Sequence, residues 1–144
     1  MQRLEKYVHL GDFDKAKDLY KHMDFHTFHD NLLEIAFDNR KITNYSFVVS
    51  LLSANECARL HHLAYLLLSQ PLCHIEEAYI SALYHAKKAV ELTDEKDISL
   101  LENLLFLNIV PDKVVSDEEA RRIAGKIRLI DSENEVANEL LNRE

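Results

Sequence analysis

The side chains of this chain that could do chemistry are eight histidines and two cysteines among 144 residues. Cys57, His61, His62 and His74, with Cys73 beside the last, make the tightest grouping. Cys57 and His61 stand four residues apart, which places both on one face of a helix, and Pro71 turns the chain between that face and Cys73-His74. Such a set suits a Cys2His2 zinc site, and the chemistry would be metal-assisted hydrolysis or metal sensing. The residues around it are the helix's own apolar stripe, however, and a cysteine in such a stripe commonly packs as a small hydrophobe. We therefore read a core cysteine with rim histidines, and expect no metal or other cofactor. His22, His26 and His29, near Asp24 and Asp30, also have helical spacing, but a helix break expected between Met23 and Thr27 separates them. They read as exposed or hairpin-packing histidines.

Other chemistries find less support. Nucleophilic catalysis by Cys57 or Cys73 would need a stabilised thiolate and convergent backbone donors, and no glycine-rich turn supplies them. Two glycines build neither a phosphate-binding loop nor a dinucleotide fingerprint. The pairs Glu76-Glu77 and Glu118-Glu119 are sequence neighbours, so on a helix they point about 100° apart and cannot share a proton. The expectation is a protein without catalysis.

A formal net charge of −8 repels phosphate backbones and anionic membrane surfaces, and the short basic runs Lys87-Lys88 and Arg121-Arg122 each lie beside carboxylates. Nucleic acid and membrane are therefore excluded as expected partners. The first residues, Met1 to Lys6, lack the apolar stretch of a signal peptide. The apolar run from Leu63 to Leu68 is too short to cross a bilayer. Two cysteines without a framework spacing point to a reducing, cytoplasmic setting.

The elements that would position these residues are helices. Only two glycines and two prolines are present, too few for the many tight turns of a β-sandwich. Apolar spacing of three and four residues predicts helices over 2–9, 12–23, 27–37, 44–53 and 56–69, then 72–92, 98–110, 117–130 and 136–141. Segment 44–53 is rich in Tyr, Phe and Val and would also suit a strand, but no second strand exists to pair with it. Gly11 should end the first helix and Asp12 cap the second. Ser53 or Asn55 should cap the fifth, and Ser116 or Asp117 the eighth. Ile75, Tyr79, Ala82, Ala86, Ala89 and Val90 are expected on one inward stripe. Ile130 and Val136 are also expected inward. Segment 98–110 is apolar nearly all round and is expected to be the central helix.

About eight or nine short helices, each pair unable to bury its own apolar face, describe an all-α stack of hairpins over residues 1–144 as a single domain. Gly11, Asp12, Phe13, Ala16 and Tyr20 resemble the turn and second helix of a tetratricopeptide repeat. Tyr79, Ala82, Ala89 and Leu92 before Thr93-Asp94 resemble a degenerate later copy, as do Ala120, Ala124 and Ile130 before Asp131-Ser132-Glu133-Asn134. Ala16, Ala82 and Ala120 stand 66 and 38 residues apart, against a repeat period of about 34. Glu77 and Val115 replace glycine in the later copies. The resemblance implies a short α-α superhelix that binds another protein or a peptide in a helix-lined groove. Tyr7, Tyr45, Tyr65 and Tyr84 suit partly exposed contact positions there. The negative charge favours a basic partner surface. A metal site using Cys57, His61, His62 and His74 is the alternative, and self-association as a homodimer of a structural adaptor is a third.

Overall fold

The computed structural model describes residues 1–143. Over these the chain forms nine helices and no strand: α1 (Gln2–Leu10), α2 (Phe13–Lys21), α3 (Phe25–Asn39), α4 (Thr43–Ala54), α5 (Ala58–Ser69), α6 (Ala78–Leu92), α7 (Ile98–Ile109), α8 (Asp117–Ile130) and α9 (Glu135–Leu141). Most helices pack on their chain neighbours, as stacked hairpins do, and the α5–α6 pairing is the most extensive. α1 also reaches past α2 and α3 to α4, and α3 reaches α5. No helix among the described residues is long and apolar enough to cross a membrane.

Local chemistry sets most of the boundaries. Gly11 takes φ 75°, so its N–H reaches Val8 O at 3.1 Å while Asp12 N–H reaches Tyr7 O at 2.8 Å. Asp12 then caps α2 by accepting from Lys15 N–H. Asp24, Asp97, Ser116 and Asn134 cap α3, α7, α8 and α9 in the same way. Ala16 of α2 is fully buried in the apolar interior of the N-terminal helices.

Several boundaries differ from the sequence reading: α2 ends at Lys21 rather than Met23, and α3 runs on to Asn39 rather than Phe37. α3 begins at Phe25, two residues ahead of Thr27, because Asp24 caps it. α5 is preceded by Cys57, which makes no side-chain cap bond, whereas Ser53 belongs to α4 and Asn55 closes it. α6 starts at Ala78 rather than at residue 72, and 70–77 run as successive turns. Leu72 and Ile75 imitate helical spacing but anchor that turn: Leu72 N–H donates to Leu67 O (2.9 Å), and Leu72 packs with the N-terminal helices. Glu77 takes φ 63°, which interrupts any helix running into α6.

Two apolar clusters form the interior. One gathers α1 to α5 around Phe28, Leu32, Phe47, Leu63 and Leu67; the other gathers α5 to α9 around Leu68, Ala82, Leu101, Ile123 and Ile127. α5 contributes to both, so α5, and not α7, is the central helix. α7 faces only the second cluster and leaves Ile109 63% exposed. Ile130 and Val136, expected inward, lie at helix ends and are exposed.

The two glycines should respond oppositely to alanine. Gly11→Ala forces a side chain into the left-handed region and should cost about 1–2 kcal/mol. Gly125 lies inside α8 with nothing within 4 Å of an added Cβ, so Gly125→Ala should stabilise by about 0.5–1 kcal/mol. Urea denaturation checks both, and shifts of the same sign would contradict the assignment.

Candidate functional site

Two buried histidines join a line of polar side chains at the α5–α6 interface. His61, in the first turns of α5, and His85, at the middle of α6, are 2% and 3% exposed. Their Nδ1 atoms are 3.0 Å apart. His61 Nε2 lies 2.7 Å from Glu56 Oε2 in the α4–α5 connection, and His85 Nε2 lies 2.8 Å from the Tyr45 hydroxyl on α4. Four side chains from four successive segments thus make one line, from a half-buried phenol to an exposed carboxylate.

With both imidazoles neutral, the line has one consistent set of donors. The hydrogen bond from His61 holds the Glu56 carboxyl below its usual range, so Glu56 is an anion that only accepts. His61 therefore donates from Nε2–H and accepts at Nδ1. His85 must then donate from Nδ1–H and accept at Nε2, where the Tyr45 hydroxyl donates. Every ring nitrogen is paired, as burial at this depth requires. Burial, with the facing His61, pushes His85 down to about 4, which keeps it neutral across physiological pH.

On another side of α5, His62 is stacked between His29 of α3 and Tyr65, with ring centroids 6.3 Å and 6.1 Å away. It accepts from Asn103 Nδ2 of α7 at 3.2 Å. His61 and His62, adjacent in sequence, therefore point to different helices. Cys57 is half-buried, while Cys73 and His74 lie exposed in the 70–77 turn. The structure does not assemble Cys57, His61, His62 and His74 into one site. Among the described residues, no group of three or more His, Cys, Asp or Glu side chains is placed to hold a metal ion. His22 closes α2 whereas His26 lies in α3, so the expected break between them is present.

The tyrosines separate as well. Tyr7 is half-buried under Lys15, and Tyr45 is committed to His85. Tyr65 is buried with its hydroxyl aimed at Asn103 O, and Tyr84 is exposed beside Lys87, Lys88 and Arg122. Tyr65 borders an apolar groove of about 430 Å³ between the end of α5, α7 and α9. Leu66, Phe106, Ile109, Val136 and Leu140 form its walls, and Glu102 and Glu139 stand on its rim. Glu102 is steadied by Asn134 Nδ2 at 3.1 Å. Arg143, also on the rim, donates to the buried Asn108 Oδ1 at 2.8 Å.

Sequence reasoning missed both Glu56 and His85. A signal for His85 was present: it sits beside Ala82, Ala86 and Ala89, the small-residue stripe that faces a neighbouring helix. Glu56 carried none, because its role depends on where α5 starts.

The buried histidine makes stability depend on pH. The unfolded chain protonates His85 as pH falls through about 6.5, whereas the folded chain resists until about 4. Stability present above pH 6.5 is therefore lost between these values, by up to about 3 kcal/mol. His62, pushed down by burial and by His29, acts in the same direction. Urea melts from pH 7.5 to 4.5 should show this fall, and His85→Gln, which can keep both hydrogen bonds without titrating, should reduce the slope. An unchanged slope in that variant would contradict the assignment.

No protein-family model, curated protein or solved structure matches the chain.

Proposed function

We propose that this chain is a non-catalytic interaction module that takes an apolar side chain of a basic peptide or protein segment into the α5–α7–α9 groove. The observation that carries the reading is the groove itself. Ile109 and Val136, 63% and 42% exposed, flank an apolar groove whose volume of about 430 Å³ accommodates one large side chain. Glu102 and Glu139 on its rim, within a chain of net charge −8, would attract Lys or Arg beside that anchor. The stacked hairpins supply the rigid frame such a groove needs, and α1–α2 is the hairpin nearest to a tetratricopeptide repeat. Its two cysteines remain thiols in this reading, which suits a reducing compartment such as the cytoplasm.

A peptide library with one large apolar residue flanked by Lys or Arg, followed by fluorescence anisotropy of the selected peptides, tests it. Saturable binding is expected. Ile109→Asp, at a position exposed enough to leave folding intact, should weaken that binding by about tenfold or more, a loss above 1.4 kcal/mol. Absence of any saturable peptide, or equal binding by Ile109→Asp, would refute the reading.

A further inference from the structure

The line Tyr45–His85–His61–Glu56 leaves no ring nitrogen spare, so a proton entering it from the Tyr45 end must reverse both the Tyr45–His85 and the His85–His61 bonds. The carboxylate at one end sets the direction. A water proton taken up at the Tyr45 oxygen lets the phenol pass its own proton to His85 Nε2. His85 then gives its Nδ1 proton to His61 Nδ1. No proton is gained or lost beyond the one that entered. The positive charge ends on His61, the ring that touches Glu56 at 2.7 Å. His85 is again neutral but is now the other tautomer, donating from Nε2–H to the Tyr45 oxygen. A second proton has no such outlet. Placed on His85 Nδ1, it would face the Nδ1–H of His61 across 3.0 Å, setting two buried cations against each other beside one carboxylate.

We propose that Tyr45, His85, His61 and Glu56 form a one-proton relay that reverses the Tyr45–His85 and His85–His61 hydrogen bonds on the first proton and opposes a second. The geometry makes this a switch rather than two independent histidines, because the rings share a single hydrogen bond and each has one further partner, Glu56 for His61 and Tyr45 for His85. The remaining groups facing the pair are few. α6 adds Tyr84, whose ring lies 5.0 Å from His85 and 6.2 Å from His61, and Lys88, whose charge acts on Glu56. His29 of α3 and Asp97, the residue that caps α7, act on His62 instead. The position of His85 low in the titration range agrees with its being the last of the pair to charge. The inference rests on this pair alone and does not depend on the groove binding a peptide.

Histidine ring-nitrogen NMR on the 15N-labelled chain, from pH 7.5 to 4.5, tests it. At pH 7.5, His85 should carry its proton on Nδ1 and His61 on Nε2. On acidification, His61 should gain its second proton at the same midpoint at which His85 switches from Nδ1–H to Nε2–H. His85 retaining Nδ1–H until it is itself protonated, or the two rings changing at unrelated midpoints, would overturn the relay. In Glu56→Gln the charged state loses its counterion, so the coupled step should move about one pH unit or more to lower pH. An unmoved midpoint in that variant would equally overturn it.

Discussion

An imidazole stays inside a helix interface only if each of its nitrogens has a partner, and two imidazoles in contact must agree on who donates. His61 and His85 meet that requirement through Glu56 on one side and Tyr45 on the other. The requirement is strict in a way that leucine packing is not. Apolar ridges tolerate small slides, whereas a donor moved by an ångström leaves a buried acceptor empty. The pair thus ties α4, the α4–α5 connection, α5 and α6 to one register.

That register matters because of what α5 does. Leu60, Leu63, Ala64 and Leu67 complete the N-terminal cluster, and Tyr65 and Leu68 belong to the C-terminal one. With only 12 residues, α5 presents apolar surface nearly all round, and the histidine pair sits on the side that α6 covers. The end of α5 then forms one wall of the groove with α7 and α9. Further along, Asn108 braces the connection into α8 by donating to Val115 O and Asp117 Oδ1, which keeps α7 and α8 together at that end.

Local signals were legible in the sequence. Gly11 and Asp12 act through bonds only a few residues long, and the helical periodicity survived even in Thr43–Ala54, where the composition also favoured a strand. Tertiary roles were not. Leu72 and Ile75 keep helical spacing while serving a turn, because a buried leucine contributes the same pattern in either setting. α7 is the more apolar text, yet α5 is the hub, since centrality depends on which helices arrive from both sides. The spacing of Cys57 and His61 suggests one helix face, but His61 turns to α6 and finds His85, 24 residues away. The Glu56 contact depended on the helix starting after Cys57 rather than after Ser53 or Asn55.

The central claim is that α5, pinned by the histidine pair and shared by both clusters, is the last element to lose its structure. Native-state hydrogen exchange, read residue by residue in low denaturant, addresses this directly. The account predicts that the interior amides of α5, Leu63 to Leu68, exchange only by global unfolding, with higher protection than α2 or α8. Exchange of those amides through an opening of lower free energy than global unfolding, while either cluster stays protected, would contradict it.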